Sequence, residues 1–86
     1  MASYRIEVSK KVRKDLRKIP ASDVERILGV IRDLATDPRP HGSKKLKGNE
    51  LFRVRCGVYR VVYEIHDDRL VVIVVRVAHR KDVYRD

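Results

Sequence analysis

Apolar and charged residues alternate at the start of the chain and then recur at helical spacing. Between Tyr4 and Val8 successive side chains switch between the two classes, which predicts a half-buried strand. Ser9 follows directly, and its hydroxyl can cap the first turn of a helix. The next apolar residues lie three or four positions apart, at Val12, Leu16 and Ile19. The pattern therefore predicts a strand followed by a helix with one apolar face.

A second apolar stripe begins after Pro20, which ends the first helix or starts the next one. Ser22 and Glu25 have the spacing of a capping box, in which each side chain accepts a bond from the other residue's backbone amide. The stripe consists of Val24, Ile27, Leu28, Ile31, Leu34 and Ala35. We expect the two helices to form an antiparallel hairpin that packs on a sheet.

A loop and a β-hairpin are predicted for the middle of the chain. Residues 37–43 are rich in Pro and Gly and predict a loop, which the basic segment 44–49 continues into the sheet. Two strands follow, at residues 51–56 and 58–65. They meet at Cys56-Gly57, where the glycine suits a tight turn.

The last strand is predicted to be central in the sheet. Residues 67–68 predict a turn, and residues 70–77 form a β-branched run that is typical of a strand covered on both faces. Residues 79–85 have room only for a tail or one helical turn. The pattern predicts one α+β domain over residues 1–86. Its small antiparallel β-sheet packs against an N-terminal antiparallel helical hairpin, in the order β-α-α-β-β-β.

Charge adds a class of partner to this fold. Lys and Arg outnumber Asp and Glu by 21 to 12, which gives a net charge of +9. A small domain this basic attracts polyanions, so we rank nucleic acid ahead of an acidic protein, and both ahead of a membrane surface. No apolar run approaches the ~20 residues of a membrane span, and the charged first residues lack the apolar core expected of a signal peptide. The single cysteine, Cys56, excludes an internal disulfide and fits the reducing cytoplasm.

Three arginines are predicted to share one face of the hairpin. Arg53 and Arg55 alternate with apolar residues, and a turn at Cys56-Gly57 places Arg53 across from Arg60. Like charges in cross-strand register are destabilising, and arginine matches the geometry of phosphate. We therefore favour an anion site over an ordinary solvated face with salt bridges to a helix.

The C-terminal residues bring a different chemistry. His79 can act as an acid or a base near neutral pH, and Arg80 carries a fixed positive charge. Tyr84 can donate a proton, stack on an unpaired base, or close the core as an apolar peg. The three histidines and one cysteine are scattered without metal-ligand spacing, and the four glycines do not form a phosphate loop. We expect neither a metal nor a cofactor.

The segment LFRVRCGVYRVVYE, residues 51–64, and the ending VAHRKDVY, residues 77–84, resemble the RelE/ParE toxin superfamily. The resemblance covers essentially the whole chain. It implies a bacterial or archaeal toxin of a type II toxin–antitoxin system, silenced by a cognate antitoxin. RelE-like members cleave messenger RNA in the ribosomal A site, whereas ParE-like members share the fold, act on DNA gyrase and lack the ribonuclease residues.

The resemblance also implies site residues. By position, Arg53 and Arg55 match the second-strand pair of RelE-like enzymes, and Arg60 matches the third-strand arginine. Arg80 and Tyr84 match the C-terminal pair. The second-strand pair is often lysine in such enzymes, and an arginine with a pKa above ~12 cannot serve as a base. Either His79 is therefore the candidate base, or the reaction depends chiefly on electrostatics and positioning. The expected catalytic set is Arg53, Arg55, Arg60, His79, Arg80 and Tyr84. The expected RNA-binding residues are Lys10, Lys14, Lys44, Lys45 and Lys47.

The expected reaction is metal-independent cleavage of messenger RNA by attack of its own 2′-hydroxyl. The expected partners are an acidic antitoxin, the ribosome and messenger RNA, with DNA reached only through the antitoxin and no membrane. Two alternatives stay open. One is a ParE-like toxin that inhibits gyrase, and the other is a basic RNA-binding domain without activity.

Overall fold

The computed structural model describes residues 3–46 and 50–79. Two helices and five strands follow one another along the chain, and this confirms the α+β class. In order they are β1 Arg5–Val8, α1 Lys10–Arg17, α2 Ala21–Asp33, β2 Lys44–Lys45, β3 Leu51–Cys56, β4 Tyr59–His66 and β5 Val71–His79. Neither helix in these two described ranges has the length and apolar character needed to span a membrane.

All five strands lie in one sheet, in the order β1-β5-β4-β3-β2. The expectation of a purely antiparallel sheet is corrected to a mixed one, because β1 pairs with β5 in parallel. Two parallel neighbouring strands need a long connection between them. The connection from β1 to β5 starts with the two helices and continues through β2, β3 and β4. The prediction of a central last strand is confirmed, since β5 lies between β1 and β4. Lys44 and Lys45, expected in a loop, pair with β3 as a fifth strand.

The turn of the β3–β4 hairpin lies one residue later than predicted. Cys56 pairs with Tyr59, so Gly57 and Val58 form the turn, and Gly57 takes a φ of +61° there. The predicted pairing of Arg53 with Arg60 is therefore wrong, and Arg55 is the residue opposite Arg60. A shift of two residues preserves the alternation of side chains, so the three arginines still share one face.

The two helices begin differently. The Ser9 hydroxyl accepts a bond from the Val12 amide at 3.3 Å, which confirms the predicted cap of α1. The capping box predicted for α2 is wrong, because Pro20 holds the cap position and no side chain bonds there. Its carbonyl accepts from the Asp23 and Val24 amides, each at 3.0 Å. The backbone of Pro20 thus starts α2, and Ser22 lies inside the first turn.

The core lies between the helices and one face of the sheet, called here the helix face. Its fully buried side chains include Val12, Ile27 and Leu34 from the helical half, with Val61, Tyr63, Val72, Val74 and Val77 from the sheet. Leu28, predicted in the apolar stripe, is 36% exposed. The apolar stripe of α2 that packs against the sheet is therefore narrower than the stripe predicted from the sequence. The opposite face carries the three arginines and is called the arginine face.

Candidate nucleic-acid interface

Arg55 and Arg60 form a cross-strand cationic pair on the arginine face. They are opposed across β3 and β4, and Arg60 also lies opposite Ala78 of β5. Arg55 is exposed and makes no hydrogen bond or ion pair with any residue in the described ranges, while Arg60 is half-buried. No position of β3, or of β4 before Glu64, is acidic. Two like charges thus face each other at a cost of ~0.2–1 kcal/mol, as expected of a surface that meets an anion.

Arg53 has a structural role in addition to its charge. It is 7% exposed, and its Nη1 donates to the Gly42 carbonyl at 3.2 Å. In register it lies between Lys44 and Val62. The guanidinium thereby anchors the loop before β2. Arg53 shares the predicted face with the other two arginines, but its side chain is used to hold that loop.

His79 is not brought together with the arginines. It pairs with Tyr59 at the end of β5, and the two rings lie 6.0 Å apart at 75°. Tyr59 packs against the core, so both rings are on the helix face. Arg60, the next residue along β4, points to the opposite face. The sheet therefore separates His79 from the arginine pair for which it was the candidate base.

The predicted RNA-binding lysines lie on different sides of the molecule. Lys44 shares the arginine face with Arg53, whereas Lys45 alternates to the other side and its Nζ is 3.7 Å from a Glu50 carboxylate. Lys10 and Lys14 are exposed on α1.

The helix α1 buries Val12 against the helix face. Its exposed lysines therefore lie across the sheet from the arginine pair. Three further members of the predicted set, Lys47, Arg80 and Tyr84, lie outside the described residues. The candidate interface in the described ranges thus consists of the arginine pair with Arg53 and Lys44 beside it.

Asp15 and Arg76 are site neighbours that were not among the predicted residues. The Asp15 carboxylate accepts from the Val77 amide at 3.0 Å and lies 3.4 Å from Arg76 Nε. The sequence carried one signal of this, since Asp15 is the only acidic residue of α1. These contacts hold the end of β5 against α1. They join residues about 60 positions apart, so the sequence alone does not reveal them.

The other end of the sheet pairs its charges. Arg39 binds the Asp67 carboxylate through two nitrogens at 2.9 and 3.2 Å, and the Tyr4 hydroxyl donates to the same carboxylate at 2.6 Å. The bonds from Arg39 and then from Tyr4 lower the pKa of Asp67 to about 2. Nearby, His66 Nε2 lies 2.8 Å from Glu64 Oε1. This end therefore has the charge complementarity of a structural surface.

A buried tyrosine continues this structural end into the core. The Tyr63 hydroxyl donates to the Pro38 carbonyl at 2.8 Å, and burial raises the pKa of this phenol to about 12. Phe52 stacks on Tyr63 with ring centroids 6.0 Å apart, and the Arg39 guanidinium lies 5.4 Å from the centre of the Phe52 ring. The loop after α2 is thus fixed by a polar and an aromatic contact together. Within residues 3–46 and 50–79, no three His, Cys, Asp or Glu side chains group as metal ligands would.

Comparison with known proteins gives the family. The family model described as the ParE toxin of type II toxin–antitoxin systems, parDE, matches residues 6–84. Toxin RelG of Mycobacterium tuberculosis is 36% identical over 89 residues, which cover 95% of this chain and 97% of RelG. Among solved structures, a chain of the RelBE2 toxin–antitoxin complex of the same organism is 30% identical with a TM-score of 0.84, over 95% of this chain and 97% of that one.

An archaeal RelE–RelB complex from Pyrococcus horikoshii OT3 contains a chain of similar fold. It matches with a TM-score of 0.82 at 29% identity, over 94% of this chain and 99% of that chain. The resemblance drawn from the hairpin and the C-terminal ending is therefore confirmed. The chain belongs to the RelE/ParE superfamily of type II toxin–antitoxin toxins.

Proposed function

We propose that this toxin is an endoribonuclease that cleaves messenger RNA on the ribosome, in the cytoplasm and without a metal ion. The observation that carries the proposal is the Arg55–Arg60 pair, opposed in register on an exposed face with no acidic strand position beside it. Arginine forks bind phosphate oxygens in pairs, so this surface suits an RNA backbone. The 36% identity to RelG and the match to RelBE complexes favour a RelE-like activity over simple RNA binding.

The reaction proposed is internal transesterification. The substrate's 2′-oxygen attacks the adjacent phosphorus, the bond from phosphorus to the 5′-oxygen breaks, and the products carry a 2′,3′-cyclic phosphate and a 5′-hydroxyl. One proton leaves the 2′-hydroxyl and one arrives at the 5′-oxygen. Arg55 and Arg60 stabilise the extra negative charge that builds on the phosphate in between, where fixed cations lower the barrier most.

The proton transfers need other groups. Arginine stays protonated in proteins, and His79 lies on the helix face. The arginine pair therefore acts by charge and positioning. Tyr84 and Arg80 keep the roles that the family resemblance implies for them: Tyr84 handles a proton or stacks on a base, and Arg80 orients the scissile phosphate.

The proposed partners are the ribosome, messenger RNA and an acidic antitoxin. A RelBE2 toxin–antitoxin complex and an archaeal RelE–RelB complex contain chains similar to this one. A chain with a net charge of +9 suits an acidic segment that covers its basic surface, and the opposite charges speed capture. DNA would be reached only through that antitoxin.

Induced expression with mapping of messenger 5′ ends tests the proposed activity. Wild-type toxin is expected to produce new ends in phase with codons in translated messages. The variant Arg55→Ala/Arg60→Ala should produce none. The matched control Arg13→Ala/Arg17→Ala, which removes two exposed arginines of α1, should cut as the wild type does. Equal cutting by both double variants would contradict the proposed site.

Inhibition of DNA gyrase is the second candidate function. It is favoured by the family model itself, which is that of the ParE toxin. A supercoiling assay with purified gyrase separates the two candidates. Intact messages together with inhibited supercoiling would establish the gyrase candidate, whereas new messenger ends with unaffected supercoiling would establish the ribonuclease. If neither effect is observed, the remaining alternative is a basic RNA-binding domain without activity.

A further inference from the structure

A cleft of about 410 Å³ lies between α1 and the C-terminal end of β5. It lies beside the Arg55–Arg60 pair at the same end of the sheet, since Tyr59 and Arg60 are consecutive residues of β4. Its lining includes Asp15, Lys18, Tyr59, Arg76, Val77 and Ala78.

The cleft opens at an edge of the sheet. β1 pairs with β5 only as far as Val74, so the rest of β5 has no described strand on that side. Along this edge the Asp15 carboxylate accepts the bond of the Val77 amide. The lining includes Val77 from the helix face and Ala78 from the arginine face, which alternate along the strand. The cleft therefore turns around the edge and connects the two faces.

The chemistry of the cleft combines an aromatic wall with cations. Tyr59 supplies a half-buried ring, and Lys18 and Arg76 supply two positive charges. Asp15 offsets one of them, but its side chain is only 12% exposed and is already engaged with Arg76 and the Val77 amide. Arg76 makes this 3.4 Å ion pair and no side-chain hydrogen bond to any residue of the described ranges, and its Nε is buried. The side chain is 30% exposed, so its terminal Nη atoms can donate to an acceptor that enters the cleft.

We propose that the cleft is a subsite for one nucleotide of single-stranded RNA, flanking the phosphate held by the arginine pair. The nucleotide's phosphate binds Arg76 and Lys18, and its base packs against the Tyr59 ring. Stacking on an aromatic side chain beside cations is how proteins hold unpaired bases. The proposal rests on the proposed function, because it assigns a second contact to the same RNA.

The positions of the two sites support this assignment. Arg60 lies opposite Ala78, and Ala78 lines the cleft. Adjacent strands are about 4.8 Å apart, so a chain that crosses from Arg60 over β5 reaches the cleft within one further strand spacing. An RNA strand can therefore contact the arginine pair and the cleft at once.

Equilibrium binding of a 2′-O-methyl RNA hexamer tests the subsite. This probe cannot be cleaved, because its 2′-oxygen is methylated, so the result is independent of whether the toxin is a ribonuclease. With the full-length chain, Tyr59→Leu is expected to weaken binding ~10-fold, the effect of losing one stacked base. Lys18→Gln should weaken it ~3-fold or more, as loss of one phosphate contact does. The matched controls are Tyr4→Leu at the far end of the sheet and Lys11→Gln on the same helix, and both should bind as the wild type does.

Amide chemical shifts locate the contact. Titration with 5′-AMP should shift the amides of Tyr59, Val77 and Ala78, and inorganic phosphate at the same concentration should not reproduce these shifts. Equal shifts with phosphate alone would overturn the proposal in favour of a simple anion site. It would also be overturned if an acidic peptide shifted these amides while the nucleotide did not, or if Tyr59→Leu and Tyr4→Leu bound the hexamer equally. If the wild-type toxin bound the hexamer as proposed but cleaved no messenger RNA in cells, the proposed activity would be refuted and the subsite would stand.

Discussion

The two ends of the sheet differ in how their charged side chains are arranged. At the end with the β4–β5 turn, Arg39 meets Asp67 at 2.9 Å, and His66 meets Glu64 at 2.8 Å. At the end with the β3–β4 hairpin, Arg55 is set directly opposite another arginine. Both ends belong to one sheet of one basic chain, so net charge does not explain the difference.

The contrast separates stabilising residues from functional ones. At the β4–β5 end, the Arg39–Asp67 ion pair and the bond from Tyr4 to Asp67 hold the start of the N-terminal strand. The Tyr63 hydroxyl holds the Pro38 carbonyl in the loop after α2. At the hairpin end Arg55 and Arg60 are opposed in register, which disfavours the fold locally, and arginine forks match the geometry of phosphate. The contrast indicates a structural role for the β4–β5 end and supports the proposal that the hairpin end binds phosphate.

Removing one arginine from the hairpin end should have the largest effect on activity. Arg55→Gln is expected to lower the rate of RNA cleavage ~100-fold, because it removes a cation that stabilises the transition state. The free energy of unfolding should stay the same or rise by ~0.3 kcal/mol as repulsion is relieved. Ribosome-dependent cleavage assays and thermal melts measure the two quantities. Arg69→Gln, at the β4–β5 turn, is the control and should change neither, and a cleavage loss equal to that of Arg55→Gln would remove the contrast between the ends.

Removing the buried hydroxyl near the β4–β5 end should have the opposite profile. Tyr63→Phe is expected to lower the free energy of unfolding by ~1–2 kcal/mol, because the buried Pro38 carbonyl loses its donor. Cleavage by the folded variant should be unchanged. Chemical denaturation measures the first effect. An unchanged midpoint, or a cleavage defect in the folded variant, would contradict the structural assignment of this end.

The turn that sets the arginine register can be tested through its glycine. Gly57→Ala is expected to destabilise by ~1 kcal/mol, because φ is +61° and a new β-carbon would lie 2.5 Å from Arg26 Nη2. Gly29→Ala lies in the helix α2, where the new β-carbon would meet Arg32 Nη2 at an ordinary contact distance of 3.9 Å, and should instead stabilise by ~0.5–1 kcal/mol. Melting temperatures that moved in the same direction for both variants would argue against this turn geometry.

The smallest effect concerns pH. The pKa of Asp67 is about 2 in the folded chain against 3.8 for the free group, so its contacts stabilise the fold above pH 3.8 and are lost as pH falls through 2. Melting curves of the wild type and Asp67→Asn should differ most above pH 4 and converge toward pH 2. Because this carboxylate is exposed, added salt should reduce the difference. A difference in melting temperature between the two proteins that grew as the pH fell would contradict this prediction.

Strand alternation was enough to find the arginine face, whereas the partners of its members came from the fold. Alternation put Arg53 and Arg55 on one face because it depends only on neighbouring residues. It could not supply the bond from Arg53 to the Gly42 carbonyl or the place of His79 across the sheet, since both depend on register and long-range pairing. The parallel pairing of β1 was missed for the same reason, because no local pattern distinguishes it from an antiparallel one.

The salt dependence of RNA binding tests the difference between the two ends most directly. Binding of the 2′-O-methyl hexamer would be measured over a range of salt for the wild type, for Arg55→Gln/Arg60→Gln and for Arg5→Gln/Arg69→Gln. If the hairpin end holds phosphates, the first double variant should reduce the slope of log K against log salt by ~1.4, or ~0.7 per lost phosphate contact. The second should leave the slope unchanged. Equal slopes for the two double variants would contradict the account.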